Sequence, residues 1–155
     1  LVSAARGVTL LVGQKVFECR EQTMRMRISW VNGWGSDAAG GLVRDPDWNL
    51  VLDRVLRACG QSGTVTLDVD RSEGVCLGQL QVVAENGAFW LTLGQDDGKD
   101  WVVREYVENG ADPKQMRTIQ SYSVSSASVC TSISEVIEIF RRFFTTGDVP
   151  ARLMR

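Results

Sequence analysis

Histidine is absent from the 155-residue sequence. Because histidine is the most common general base, its absence excludes the usual serine and cysteine triads and most catalytic zinc sites. The phosphate-binding glycine motifs G-x-x-x-x-G-K-[ST] and G-x-G-x-x-G are also missing. The sequence therefore predicts a protein that is not an enzyme and that needs no cofactor or metal.

Long apolar runs are missing too, since the longest ones fall well short of the roughly 20 residues that span a bilayer. The four cysteines, Cys19, Cys59, Cys76 and Cys130, are far apart and form no C-x-x-C pair. We interpret them as thiols in a reducing cytoplasm, with two disulfides as the alternative. These features predict a soluble cytoplasmic protein that does not bind membranes.

The charge is low overall but unevenly distributed. A net charge of −2 and a pI near 5.2 argue against binding to nucleic acid by bulk attraction. Residues 68–112 hold ten acidic and three basic residues, a net charge of −7 that leaves +5 for the rest of the chain. An acidic region of this kind favours a basic protein partner.

The chain divides at Met24. Residues 1–23 lack the apolar core and cleavage site of a secretion signal, and MRMRISW, which follows, is typical of a first strand. Either Met24 is the true start or translation begins upstream at a non-standard codon. We expect residues 1–23 to form an N-terminal arm or upstream extension, and residues 24–155 to form a single domain.

The first half of this domain predicts one strand and one helix. A strand over residues 27–31 precedes the glycine-rich stretch NGWGSDAAGG, which we expect to be a flexible loop that exposes Trp34. Asp45 is the expected helix cap, Pro46 the first turn and Gly60 the end. The expected apolar face of this helix contains Leu50, Val51, Val55 and Leu56.

An antiparallel meander is expected next. Residues 64–70 alternate, which predicts Val65, Leu67 and Val69 inward and Thr64, Thr66, Asp68 and Asp70 outward. Strands over 75–84, 88–93 and 101–107 follow, with Asn86-Gly87 as a hairpin turn. Residues 118–124 are a candidate for a further strand.

A closing helix has the clearest signals. Ser132 and Glu135 form a capping box, and Gly147 followed by Pro150 ends the helix. Its expected apolar face consists of Ile133, Val136, Ile137, Phe140, Phe143 and Phe144. The predicted fold class is α+β, an antiparallel meander of four or five strands with one α-helix before it and one C-terminal α-helix, the helices packed on one face.

The acidic stretch GQDDGKDW resembles a calcium loop only superficially. Glycine follows the first aspartate by two positions instead of five, and Lys99 lies among the would-be ligands. Asp96, Asp97 and Asp100 fit a solvated hairpin turn instead. The alternative is a small metal-dependent hydrolase that uses Asp96, Asp100 and Glu105.

The strand after this turn separates into two faces. Alternation places Trp101, Val103, Glu105 and Val107 on one face, which we expect to be the core. Arg104, Tyr106 and Glu108 then lie on an exposed face suited to partner contacts. Glu105 does not fit the apolar side, so we expect either a bulge that turns it outward or a buried acid.

Three phrases resemble the first-numbered family of immunity proteins from bacterial polymorphic toxin systems. They are DPDWNLVLDRVL, FWLTLGQDDGKDWVVREY and SVSSASVCTSISEVIEIFRRFFTTGDVP, and together the resemblance covers residues 26–150. The family's closing phrase F-x-x-T-G-x-x-P is matched by Phe143, Thr146, Gly147 and Pro150. The tryptophan that follows this phrase in the family is replaced here by Ala151-Arg152-Leu153-Met154-Arg155.

The resemblance implies a cytoplasmic antitoxin that binds a cognate secreted toxin one to one, acts in interbacterial competition and has no small-molecule substrate. The implied toxin is a nucleic-acid deaminase or another nucleic-acid-targeting enzyme, whose basic cleft an acidic surface occludes. An adaptor with a non-toxin partner is a further alternative. The expected partner-binding residues are Asp96, Asp97, Asp100, Arg104, Glu105, Tyr106, Glu108 and Trp34.

Overall fold

A computed structural model describes residues 24–33, 35–71 and 74–155. These residues contain two α-helices, α1 (Trp48–Gln61) and α2 (Ile133–Thr146). They also contain nine strands: β1 (Arg25–Asn32), β2 (Ala39–Arg44), β3 (Gly63–Asp70), β4 (Cys76–Glu85), β5 (Ala88–Asp96), β6 (Trp101–Glu105), β7 (Met116–Ile119), β8 (Tyr122–Ser125) and β9 (Val129–Cys130). The predicted arm, residues 1–23, lies outside the described residues.

The main sheet is antiparallel throughout, with the strand order β2-β1-β3-β4-β5-β6 and the short β9 paired with β5. From β3 to β6 each strand is hydrogen-bonded to the next one in sequence, so the predicted meander is confirmed. Antiparallel strands with one early and one C-terminal helix also confirm the α+β class.

Both helices cover one face of this sheet. The register aligns Ile28, Leu67, Leu80 and Leu93 in a row across four strands, and all four are fully buried. The helices supply the opposing apolar side chains, and Trp48 of α1 contacts Phe144 of α2 with ring centroids 5.6 Å apart. Burial of apolar surface between the sheet and the helices is therefore the main source of stability.

The turns show where local sequence determines the chain path. Asn86 and Gly87 have φ of 50° and 74°, as the predicted hairpin turn requires. Gln120 and Ser121 have φ of 48° and 71° and join β7 to β8 in the same way. The prediction of one strand over residues 118–124 is wrong, because this turn without glycine divides it into a hairpin.

The glycine-rich stretch before α1 is a strand and not only a flexible loop. β2 pairs with β1, and Trp30 lies opposite Gly41. A Cβ atom on Gly41 would come within 2.5 Å of the Trp30 ring, so glycine provides the space in which that ring packs. The stretch was predicted as a loop because its glycines carry no strand pattern of their own.

Helix α1 begins later and ends later than predicted. Its N-cap is Asp47, whose carboxylate accepts a hydrogen bond from the Leu50 N–H at 2.8 Å, and not Asp45. It continues through Gly60 to Gln61. The buried residues are Val51, Val55, Ala58 and Cys59, whereas Leu56, predicted on the apolar face, is exposed.

Helix α2 has the predicted ends. Ser132 Oγ accepts a hydrogen bond from the Glu135 N–H, and Gly147, in the left-handed region at φ 73°, donates its N–H to the Phe143 carbonyl. Its buried face contains Val136, Ile139, Phe140 and Phe143. Ile133, predicted on that face, is 41% exposed.

The opposite face of the sheet is only partly covered. The β7–β8 hairpin packs there and forms a second small apolar cluster, composed of Val83, Ala88, Ile119, Val124 and Val129 with Trp90 against it. The rest of this face carries the side chains of β3 that were predicted to be outward. Asp68 is nevertheless only 3% exposed, which contradicts a fully solvated strand face.

Asp68 is buried by its own partners. Its Oδ2 accepts hydrogen bonds from Arg27 Nε at 3.0 Å and Nη2 at 2.8 Å, and its Oδ1 accepts one from Gln79 Nε2 at 2.9 Å. The strands on either side of β3 provide these groups, since Asp68 lies opposite Arg27 and Gln79. A central strand can therefore bury a carboxylate that alternation alone places outside.

No helix in the described part of the chain is long and apolar enough to cross a membrane. Cys59, Cys76 and Cys130 have free thiols. Burial raises the pKa of Cys59 to about 12 and that of Cys130 to about 11, so both thiols are protonated and unreactive at neutral pH. Cys19 lies outside the described residues.

Candidate functional site

The acidic hairpin, residues 94–105, contains five of the eight predicted contact residues. At its tip, Asp96 Oδ1 accepts a hydrogen bond from the Gly98 N–H at 2.8 Å, and Asp97 Oδ1 accepts from the Lys99 and Asp100 N–H groups at 2.9 and 2.8 Å. These backbone N–H groups of Asp100 and Lys99 lower the pKa of Asp97. The aspartates thus form the turn and remain as exposed negative charges.

Trp101 lies on the surface, so its predicted position in the core is wrong. Its side chain is 47% exposed and covers Gly94, where a Cβ atom would come within 2.5 Å of the indole ring. Val103, two residues on, is 58% exposed. The predicted division of this strand into two faces is correct, but the two faces are exchanged: the helices cover the side of Arg104 and Tyr106.

Arg104 connects β6 to the segment after α2. Its guanidinium donates to the Val149 carbonyl at 2.8 Å, to the Gln95 side chain and to the Asp148 carboxylate. Burial raises the pKa of the Asp148 carboxyl. Hydrogen bonds from the Val149 N–H, Gln95 and Arg104 outweigh this effect, so the pKa of Asp148 lies below its ordinary value. Arg104 is half-buried in this network, so it positions the hairpin rather than projecting into solvent.

Tyr106 is buried, which contradicts its predicted exposure. Its hydroxyl lies 2.7 Å from Glu108 Oε2 and 3.1 Å from Glu135 Oε2, and the residue is 4% exposed. Burial and the bond to Glu108 strongly raise the pKa of Tyr106, so the phenol stays protonated. Glu108, which is half-buried, is thus engaged in an internal hydrogen bond, and Tyr106 does not belong to the exposed surface.

Glu105 faces the same side as Trp101 and Val103. Its backbone N–H donates to the Arg155 carbonyl at 2.8 Å and its carbonyl accepts from the Arg155 N–H at 2.9 Å. Because this face is the open one, no bulge and no buried acid are required at Glu105. Next to it Met154, which is fully buried, pairs with Tyr106.

The acidic segment 68–112 does not form one continuous surface. Asp68 is buried against Arg27, the half-buried Glu85 carboxylate accepts from the Gln120 N–H, and Asp112, although exposed, lies on a separate loop. The exposed negative charge is concentrated in the acidic hairpin. A local cluster, and not the segment total of −7, is therefore the relevant electrostatic feature.

The described residues contain no group of three or more cysteine or carboxylate side chains that could hold a metal ion. Asp96 lies opposite Trp101 in the ladder, and Glu105 lies four residues further along β6, about 13 Å at the usual strand rise. Asp96 and Glu105 are too far apart to ligate one ion. Trp34, the remaining predicted contact residue, lies outside the described residues.

Sequence reasoning missed the exposed apolar pair formed by Trp101 and Val103. One signal for their exposure is the position of β6 as the last strand of the meander. A terminal strand has no neighbouring strand on its outer side, so its side chains are less covered. Gly94 is the second signal, since a glycine diagonally across the strand pair from an aromatic residue provides space for the ring.

Comparison with known proteins identifies the family. Residues 29–153 match the sequence profile of DUF6911, a family of unknown function. The chain belongs to this family. The fold of this DUF6911 chain is similar to that of a hypothetical protein from Neisseria gonorrhoeae, with a TM-score of 0.62 and 10% identity over 80% of this chain and 89% of that one. At this identity the similarity shows the fold alone, and no curated protein matches the DUF6911 chain significantly.

Proposed function

We propose that this DUF6911 protein is an immunity protein that binds a cognate toxin in the cytoplasm, one to one and without catalysis. The contact surface is the outer side of the acidic hairpin: Asp96, Asp97, Asp100, Trp101, Val103 and Glu105. Two lines support the proposal, the resemblance of residues 26–150 to immunity proteins and the physical character of this surface.

The observation that carries the proposal is an exposed apolar pair beside exposed charge. Trp101 and Val103 are 47% and 58% exposed on an edge strand, and three aspartates lie within five residues of Trp101. An apolar centre with a charged rim is the arrangement that protein interfaces use, and tryptophan is enriched among their energetic hot spots.

The edge of β6 adds unpaired backbone groups to this surface. Glu105 directs its N–H and C=O away from β5, towards Arg155. Alternate residues of an antiparallel strand direct their backbone groups to the same side, so Val103 and Trp101 present theirs on this edge. On this outer edge, the backbone groups of Trp101 and Val103 have no backbone hydrogen-bond partner within the described part of the chain. They are therefore available to a strand of the toxin.

Charge favours a toxin with a basic surface. The tip of the acidic hairpin carries three carboxylates against Lys99 alone, and exposed charges accelerate association with an oppositely charged partner. A basic nucleic-acid cleft is such a surface. The resemblance to immunity proteins suggests a nucleic-acid deaminase as the toxin, in agreement with this complementarity.

A co-expression experiment tests the function. A candidate toxin encoded next to this gene is expressed in a sensitive host, alone and together with the wild-type chain. We expect survival only in the presence of the chain. Continued killing while the chain accumulates in folded form contradicts the proposal.

Variants then locate the surface. Asp96→Lys with Asp97→Lys should slow association and weaken protection, and Trp101→Ala should speed dissociation. Lys114→Glu, on an exposed loop away from the hairpin, is the control for a change of charge. If protection survives the hairpin variants, the contact surface lies elsewhere even if the function is correct.

A further inference from the structure

A cavity lined by arginines lies at one corner of the main sheet, where β1 begins and β2 and β3 end. Its volume is about 120 Å³, enough for several water molecules and therefore for an anion of phosphate size. Arg25, Arg27, Arg44 and Arg71 line it, together with Asp45 and Asp70. Four arginines and two aspartates thus line one small cavity in a chain whose net charge is −2.

The strand register brings these arginines together. Arg27 of β1 lies directly opposite Arg44 of β2, and Arg25 lies two residues before Arg27, on the same face of the sheet. Like charges opposite each other in a strand pair are destabilising. The fold therefore concentrates positive charge where neighbouring side chains repel one another.

One arginine of the four has its charge compensated within the protein. Arg27 donates to Asp68 and also lies 3.8 Å from Asp70, and the hydrogen bond to Asp68 raises its pKa despite burial. The ion pairs among the described residues include none to Arg25, Arg44 or Arg71. These three guanidinium groups keep their donors available around the cavity.

We propose that this cavity binds a phosphate group, with Arg25, Arg44 and Arg71 as ligands and Arg27 as a fixed wall. Guanidinium groups donate paired hydrogen bonds that match the spacing of phosphate oxygens. A bound dianion also removes the repulsion between Arg27 and Arg44. The ligand is either inorganic phosphate or a phosphomonoester, since both present the same oxygens.

The phosphate site is independent of the proposed toxin surface. Two strands, β3 and β4, separate β1 from β5, so the cavity and the acidic hairpin are roughly 14 Å apart at the usual strand spacing. The failure of either proposal leaves the other standing.

An NMR titration tests the proposal. Sodium phosphate and adenosine monophosphate are added separately to the labelled chain, with ionic strength held constant by sodium chloride. We expect saturable shifts of the amides of Arg25, Arg27, Arg44 and Arg71, with half-saturation at or below the millimolar range, on the order of 1 mM. Tighter binding of the monophosphate identifies a phosphomonoester ligand, and equal binding identifies phosphate itself.

Arg44→Gln is the decisive variant, and Arg57→Gln on the exposed side of α1 is the matched control. Arg44→Gln should weaken phosphate binding by about tenfold or more, because one of the paired donors is lost. Arg57→Gln should leave phosphate binding unchanged.

Thermal melting provides a second readout that does not depend on NMR. Without phosphate, Arg44→Gln should melt at or above the wild-type temperature, because the repulsion from Arg27 is removed. Phosphate should raise the melting temperature of the wild type and of Arg57→Gln, and that of Arg44→Gln by much less. Absence of saturable shifts up to about 20 mM phosphate, or equal binding by both variants, overturns the proposal.

Discussion

The buried carboxylate of Asp68 allows a quantitative test of the fold. Asp68→Asn keeps the shape of the side chain and one acceptor, and Gln79 can rotate its amide to restore its hydrogen bond. The variant loses the charge that Arg27 contacts through two N–H groups at 2.8 and 3.0 Å. A hydrogen bond to a charged group contributes about 1.5–3 kcal/mol. Because Arg27 is 35% exposed and water replaces part of the interaction, we expect a loss of about 2 kcal/mol.

Urea denaturation at pH 7 measures this loss, and thermal melting should show a decrease of roughly 4–8 °C. Asp53→Asn is the matched control, since Asp53 pairs with Arg57 on the exposed face of α1 and should contribute only about 0.3–0.5 kcal/mol. A loss for Asp68→Asn no larger than that of the control refutes the view that burial strengthens this pair. Arg27→Met combined with Asp68→Asn should then show coupling between the two sites.

Three further predictions concern the hairpin and its supports. Gly94→Ala should displace the Trp101 ring, shift its indole NMR signal and weaken toxin binding with little change in melting temperature; unchanged binding would show that Trp101 makes no contact. Tyr106→Phe should reduce the free energy of unfolding in urea by about 2 kcal/mol, since a buried hydroxyl leaves its carboxylate partner; a loss below about 0.5 kcal/mol contradicts this. The pKa of Asp148 is lower in the folded state than in the unfolded state, where it is near 3.9. The Asp148 carboxylate therefore stabilises the fold above that pH, and this contribution is lost as pH falls through the folded pKa. Asp148→Asn should therefore differ in stability from the wild type at pH 7 and much less at pH 2, and an equal difference at both pH values rules out the ion pair with Arg104 as the cause.

The elements with strong local signals could be predicted from the sequence. Asn86-Gly87 determines its own turn, and Ser132 with Gly147 marks both ends of α2. Each of these signals acts within a few residues. The fold class followed because such signals fix the order of strands and helices.

Features that depend on neighbouring strands could not be predicted in this way. The strand β2 has little pattern of its own, and its Gly41 is explained only by the Trp30 ring packed against it. The burial of Asp68 likewise depends on Arg27 and Gln79, which are distant in sequence. In both cases the deciding contact is long-range, and a single sequence does not show it.

The candidate site was predicted in part. Asp96, Asp97 and Asp100 lie exposed at a turn, as their spacing indicates. Alternation correctly divided the faces of β6, but it does not say which face the helices cover, so Trp101 and Tyr106 were assigned to the wrong sides. The resemblance to immunity proteins stays a prediction that only a binding partner can test.

The most direct test of the proposed function is the affinity between this chain and the toxin domain encoded beside it, measured by calorimetry for the wild type and for Trp101→Ala. We predict a one-to-one complex of nanomolar affinity, on the order of −12 kcal/mol, that Trp101→Ala weakens by at least 1 to 2 kcal/mol, about tenfold or more. Absence of binding by the folded wild-type chain contradicts the proposed function. Equal affinity of the two proteins contradicts the assigned surface.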